Sequence, residues 1–435
     1  MKLFLNYLRN TLLVAIALII ALNMGALISG PISAKQSDDP YKNLKVLVDA
    51  ISIVQKNYVE DVEKKELIYG AINGMLSSLD PHSSFMPPES FKEMQVETKG
   101  KFGGVGIEIT MKEGVLTVVS PIEDTPAFRA GISAGDIIIK IDNVPTKGMT
   151  ILDAVKRMRG KKNTKVVLTI YREGEPEPID FPIVRAIIKI KSVKSEVLDD
   201  SYGYVKVTQF QERTTGDLKK ALNQIEKKTE KIKGLILDLR NNPGGLLDQA
   251  VKVSDLFLSA GLIVYTDGRM EAQKMKFYAT EAGTEPKYPI VVIVNAGSAS
   301  ASEIVAGALQ DTGRGLILGT KTFGKGSVQT ILPMEDGSGI RITTARYYTP
   351  NGRSIQAEGI TPDLIIDKME SPVEKKHLVI REKDLKNHMK NGNDKENGDN
   401  NKENESKKQS DNQIKSALDI LKSWEIFMKG MQRTS

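Results

Sequence analysis

The sequence predicts a multi-domain α+β protein built on an α/β core, and three observations carry that prediction. Between Gly203 and roughly Lys368, apolar strand-like runs alternate with helical periodicity, the pattern of a largely parallel sheet with right-handed crossovers. Between Lys101 and Ile183, short β-rich runs are punctuated by glycine turns, as in a small sheet domain. Ahead of both, Tyr41 to Gln95 repeats apolar residues at helical spacing. At 435 residues, the chain is long enough for two or three domains with their own cores.

Taken in order, Met1 to Ala34 reads as an export segment. Lys2 and Arg9 give it a basic start, Leu12 to Leu22 is an unbroken apolar run, and Ile32-Ser-Ala34 offers a cleavage site. The length suits both a cleaved signal and a retained anchor, and both stay open. The basic flank puts the N-terminus in the cytoplasm and the remainder outside. In the helical region of residues 41–95, Leu44, Leu47, Val48, Ile51 and Val54 share one face, as do Leu67, Ile68, Ala71, Ile72 and Met75. Leu79-Asp-Pro-His-Ser-Ser-Phe85 then forms a proline turn.

In residues 96–185, Phe102-Gly-Gly-Val-Gly-Ile-Glu-Ile109 is a glycine turn entering a strand. Val115 to Val119 is a second strand, and Pro126-Ala-Phe-Arg-Ala-Gly-Ile132 with Gly135-Asp136 is a short helix and turn. Ile137 to Ile141, a helix from Ile151 to Met158 and Val166 to Tyr171 complete the unit, which resembles a PDZ domain. Such a domain adds a peptide as an extra strand and holds its terminal carboxylate on backbone N–H groups. The resemblance assigns that task to Gly103, Gly104, Val105, Gly106 and Ile107. Ala186 to Leu198 is expected to connect this unit to the core, with Arg185 at the junction.

The core, residues 186–370, opens with the strand Tyr204 to Phe210 and a helix marked by Leu218, Ala221, Leu222 and Ile225. The buried strand Gly234 to Leu239 leads into the turn Arg240-Asn-Asn-Pro-Gly-Gly245 and a helix reaching Phe257. Strands Ile290 to Val294 and Gly315 to Gly319 bracket another helix. Residues 383–413 are rich in Asn, Lys, Glu and Ser and cannot bury enough surface to order themselves. Helical periodicity returns over 414–435 with Leu418, Ile420, Leu421 and Trp424.

Composition narrows the chemistry. Lys+Arg 61 against Asp+Glu 55 leaves a net charge of only +6, with no basic face interleaved with aromatics, which disfavours nucleic acid as a partner. There is no cysteine, which excludes thiol catalysis, disulfides and Cys-ligated zinc. No metal or other cofactor is expected. The histidines are His82, His377 and His388, the last two in the polar tail. His82, beside a proline and serines, reads as a turn residue outside the catalytic set.

One stretch stands out. Asn295-Ala-Gly-Ser-Ala-Ser-Ala-Ser-Glu303 sits between the strand Ile290 to Val294 and a helix. A serine there lies at a helix N-terminus, where orphan N–H groups favour a developing anion. Ser300-x-x-Glu303 also fits a capping box with no catalytic duty. Downstream, Thr322-Phe-Gly-Lys325-Gly-Ser-Val-Gln329 supplies a lysine and a glutamine four residues apart, which on a strand share a face.

Both runs match, without a gap, those of the carboxyl-terminal processing peptidases, or tail-specific proteases, and the resemblance spans roughly residues 41 to 370. It implies a crotonase/ClpP-like α/β core and an exported serine endopeptidase that captures protein C-termini and cleaves near them. By it, Ser300 is the nucleophile, Lys325 the base, 25 positions on, and Gln329 the residue that orients the base. Ser298 and Ser302 are the rival nucleophiles. The oxyanion donors are expected at Ala301 and at Gly244 or Gly245 in the Asn-Pro-Gly-Gly turn. Arg185 matches an arginine that, in relatives, reaches the active site and senses peptide. A lysine base must be neutral, so its pKa has to fall from ~10.4 to about 7, which takes roughly 4–5 kcal/mol of desolvation. Expected partners are proteins or peptides with accessible C-termini, with room for an adaptor protein, a second copy of the chain and an N-terminal membrane association. The expected location is the periplasm or cell envelope. The main alternative is a catalytically silent PDZ adaptor or chaperone of the same fold. Acyl-CoA chemistry on that fold is disfavoured by the PDZ unit and the export segment.

Overall fold

The computed structural model describes residues 40–112, 114–229, 231–280, 285–369 and 411–434. Residues 1–34, expected as an export segment, and most of the polar 383–413 stretch lie outside them. No described helix is long and apolar enough to cross a membrane.

Two compact units divide the chain between Ala71 and Ile72. The first contains helix α1 (Pro40–Asn57) and the start of α2 (Lys64–Ser77). The second opens with the remainder of α2, followed by a turn, strand β1 (Ser84–Met86) and helix α3 (Pro88–Lys99). β1 was not foreseen. It is three residues long, and it pairs with Gly339–Arg341, far along the chain.

The PDZ-like part follows. β2 (Lys101–Gly104) leads to β3 (Ile107–Lys112), β4 (Val115–Pro121), the short helix α4 (Pro126–Ala130), β5 (Ile137–Ile141) and β6 (Val144–Pro145). Helix α5 (Ile151–Met158), β7 (Lys165–Tyr171) and β8 (Ile179–Val184) close it. The sheet order is β3-β4-β5-β7-β8, with β6 on β5, so β3 is an edge. Its core packs Val118, Ile138, Leu168 and Ile170 against Ala127, Ala154 and Met158 of the two helices. The stretch expected as a connector is instead two strands, β9 (Ala186–Lys189) and β10 (Val193–Leu198). β9 pairs antiparallel with β2, so Gly103 and Gly104 lie in a ladder and only Val105–Gly106 turn into the edge strand.

The core sheet runs β10-β11-β12-β15-β16-β19. Its strands after β10 are β11 (Tyr202–Val207), β12 (Gly234–Asp238), β15 (Ile290–Val294), β16 (Gly315–Gly319) and β19 (Leu364–Ile365). All pairs beyond β10·β11 are parallel. Alternating side chains serve two faces. Val205, Leu235, Leu237, Val292, Val294 and Ile317 pack on one side with helices α6 (Thr214–Lys228), α7 (Leu247–Asp255) and α8 (Ala301–Asp311). Ile236, Val291, Ile293 and Leu318 face the other side, against Ala417 and Leu421 of the C-terminal helix α9 (Asn412–Thr434). Central parallel strands covered on both faces read as unbroken apolar runs, which is why Ile290–Val294 is buried at every position.

A second, antiparallel sheet is built on the long strand β18 (Gly339–Tyr348). It pairs with β1, with β13 (Leu262–Gly268) and with β17 (Ser327–Pro333); β14 (Lys276–Tyr278) extends β13.

Candidate active site

The turn between β15 and α8 is where the chemistry concentrates. Ser300 has φ 53 and ψ −112, a conformation that costs a non-glycine residue on the order of 1–3 kcal/mol. Strained strand-to-helix turns of this kind present a serine hydroxyl at the top of an α/β sheet. The two rival serines are engaged with the backbone. Ser298 and Ser302 are both 0% exposed. Ser298 Oγ donates to Leu239 O at 2.8 Å and accepts Asn295 N–H at 3.0 Å. Ser302 Oγ donates to Asn242 O at 2.9 Å. They hold the turn, whereas Ser300 is half-buried.

Glu303 does more than its sequence position suggests. Its side chain is wholly buried. Oε2 accepts Ser300 N–H at 2.8 Å and Lys325 N–H at 2.9 Å, and Oε1 accepts the Thr322 hydroxyl at 2.6 Å and Gly324 N–H at 2.7 Å. One carboxyl group therefore fastens the serine turn to the lysine loop. The four donors favour the anion and burial opposes it; burial prevails and pushes the carboxyl up to about 7. Only the capping box is legible in the sequence, because Glu303's other partners arrive from a distant loop.

Lys325 is not on a strand. β17 begins at Ser327, and its pairing with β18 slips between Val328 and Gln329, so the simple alternation expected to put Lys325 and Gln329 on one face does not apply. The N–H groups around Lys325 go to side chains instead of a ladder: Lys325 to Glu303, and Gly326 to Gln356 Oε1 at 3.0 Å. Gln329 donates from Nε2 to Ser327 Oγ at 3.1 Å and to Thr343 Oγ1 at 2.9 Å, while its buried Oε1 has no hydrogen-bond partner.

The Asn-Pro-Gly-Gly turn abuts the serine. Gly244 has φ 102, and a Cβ there would sit 2.8 Å from Ala299 O and 2.9 Å from Ser300 Cβ, so only glycine fits. Its N–H is committed to Asn242 Oδ1 at 2.9 Å, which narrows the expected oxyanion pair from this turn to Gly245. Asn242, 0% exposed, also donates from Nδ2 to Val207 O at 2.9 Å, and its carbonyl accepts Ala299 N–H at 3.0 Å. Arg240, at the head of the turn, is clamped from both sides. It makes two bonds to Asp238, at 2.9 and 2.7 Å, and reaches Asp411 at 2.7 Å and Gln413 Oε1 at 2.8 Å at the start of α9.

Arg185 caps a helix of the PDZ-like part in this structure. It is 8% exposed and donates to Met158 O at 3.0 Å, Arg157 O at 2.7 Å, Lys165 O at 2.7 Å and Thr164 Oγ1 at 3.1 Å. The last carbonyls of α5 lack partners within the helix and carry the negative end of its dipole. The guanidinium satisfies them there instead of entering the active site. Val105 and Gly106 are locked into their turn: Val105 O accepts Ala127 N–H at 3.0 Å, and Gly106 O accepts Ile122 N–H at 2.9 Å. Ile107 starts the edge strand β3. Among the described residues, no cluster of His, Asp or Glu could hold a metal ion.

Comparison with known proteins agrees with this architecture. A profile described as "Peptidase family S41" matches residues 201–366, "PDZ domain" matches 103–183, and "Activating protease CtpB N-terminal domain" matches 27–90. The chain is 49% identical over 365 residues to a carboxy-terminal-processing protease of Bartonella bacilliformis, covering 82% of this chain and 83% of that one. It is 38% identical over 359 residues to the carboxy-terminal processing protease CtpA of Bacillus subtilis, covering 81% and 75%. Among solved structures it is similar to a photosystem II D1 C-terminal processing protease, with 31% identity, TM-score 0.44, and coverage of 74% and 92%.

Proposed function

We propose that Ser300, Lys325 and Gln329 are the catalytic set of a chain that belongs to peptidase family S41. The chain is a serine-type endopeptidase that acts near protein C-termini, and the silent-adaptor alternative is not favoured. In the proposed reaction Ser300 Oγ attacks the scissile carbonyl while the neutral Lys325 amine takes its proton. Backbone N–H groups of Ala301 and Gly245 receive the oxyanion. The lysine then protonates the departing amine, and water releases the acyl group from Ser300. Gln329 Oε1 accepts an amine hydrogen without adding a charge that would keep the lysine protonated.

The observation that carries this reading is the contrast among the three serines. Ser298 and Ser302 are buried and spent on backbone carbonyls, and Ser300 alone stands at a strained turn beside a glycine-walled cradle. The direct test is substitution. Ser300→Ala and Lys325→Ala should each abolish cleavage of a peptide substrate while leaving its binding intact; a full rate in either would remove that residue from the mechanism.

A PDZ domain and a CtpB-type N-terminal domain suit the chain to binding peptide substrates. In the finer reading, the substrate C-terminus adds as a strand to the β3 edge and its carboxylate meets backbone N–H groups of the Gly103–Gly106 segment. Export by residues 1–34 would put this activity in the periplasm or cell envelope, with the N-terminus as signal or anchor. Fusing those residues to a reporter active only outside the cytoplasm tests this. An adaptor protein and self-association complete the reading, and sizing the purified chain alone and with envelope extract tests both.

A further inference from the structure

The turn Leu79-Asp-Pro-His-Ser-Ser-Phe85 was left without a task by the mechanism, yet its buried polar groups lead to the catalytic glutamine. Asp80 is 4% exposed and Ser83 is 3% exposed. Asp80 Oδ1 accepts the N–H groups of His82 at 2.8 Å and Ser83 at 2.9 Å, and Oδ2 accepts the Ser83 hydroxyl at 2.7 Å. With its proton given to Asp80, Ser83 Oγ can only accept from the next group, Thr343 N–H, at 3.1 Å. Thr343 lies directly opposite Gln329 across the β17·β18 pair. Its hydroxyl oxygen accepts Gln329 Nε2–H at 2.9 Å. A carboxamide has a donor end and an acceptor end. Once Nε2 is bound to Thr343 and Ser327, Oε1 must face the other way, and there it is buried and unpaired.

We propose that Asp80, acting through Ser83 and Thr343, is a positioning residue that fixes which end of the Gln329 amide faces the lysine base. If the amide turns over, Nε2–H points at the amine, competes for its lone pair and repels its protonated form. Asp80 itself is suited to the anionic anchor. Burial would raise its carboxyl, but the Ser83 hydroxyl, His82 N–H, Thr343 side chain and Ser83 N–H together bring it below the usual range.

The inference rests on Lys325 and Gln329 acting as proposed above, and the test separates the two. In the full chain, Thr343→Val removes the hydroxyl and keeps the β-branched shape, whereas Thr343→Ser keeps the hydroxyl. Steady-state cleavage of a peptide is followed from acid to alkaline pH. Thr343→Val should lower kcat roughly 10-fold or more at unchanged KM and move the acidic limb to lower pH, because a turned amide disfavours the ammonium. Thr343→Ser should restore most of the rate and return the limb. Asp80→Asn should shift the limb in the same direction as Thr343→Val. A wild-type kcat in Thr343→Val, equal damage in the Val and Ser variants, or a lower kcat with an unmoved limb would each overturn the proposal. Lys325→Ala is run alongside. If it still cleaves, the reading of the base fails; if it is dead while Thr343→Val is fully active, only the positioning role fails.

Discussion

At the scale of single residues, the site is organised by what one carboxyl group holds. Glu303 ties four donors from two segments. Glu303→Gln would put an NH₂ group against two of them, and each buried donor left unpaired costs about 1–3 kcal/mol. We expect that variant to lose most activity and to unfold at lower denaturant, measured by urea titration with a parallel activity assay. Its pH behaviour has a definite sign. The folded-state value is about 7 against an ordinary 4.5, so between those pH values the folded chain keeps a proton the unfolded chain has released. Stability therefore declines as pH rises through that window, by on the order of 3 kcal/mol from this group, and levels off above it. Thermal melts from pH 4.5 to 8 should show the decline in the wild type and flatten in Glu303→Gln. The serine turn is legible in the sequence because strand, turn and helix are local. Glu303's role is not, since Thr322, Gly324 and Lys325 meet it only through tertiary folding. The helix end that Arg185 caps is hidden for the same reason, since a junction position says nothing of it.

At the scale of elements, periodicity located the core strands well because burial on both faces leaves a plain apolar signature. Ile290–Val294 and Gly315–Gly319 run as expected. Short pairings are not legible: β1 and β9 are three and four residues long, and their partners lie elsewhere in the chain. The lysine loop misled because its N–H groups are satisfied by Glu303 and Gln356, where a strand would use a ladder. Helix α9 has an unforeseen part in the site. Leu421 is 1% exposed and packs where a Cβ on Gly234 would come within 2.8 Å of it, while Asp411 and Gln413 clamp Arg240. Leu421→Ala should cost about 2–5 kcal/mol, read from the shift in urea midpoint at constant slope.

For the whole molecule, the two larger parts are readable from composition and motif order: a glycine-turn domain and an α/β core. Removing residues 96–185 should raise KM for a substrate with a free C-terminus far more than it changes kcat for a short peptide, as steady-state assays on both would reveal. In the proposed mechanism Ser300 forms the acyl bond with Lys325 as its base. Mass spectrometry of peptide-treated enzyme, quenched in acid during turnover, reads that bond itself. An acyl adduct mapped to Ser300 is expected in the wild type and none in Lys325→Ala. An adduct on Ser298, Ser302 or any other residue, or undiminished acylation of Ser300 in Lys325→Ala, would contradict it.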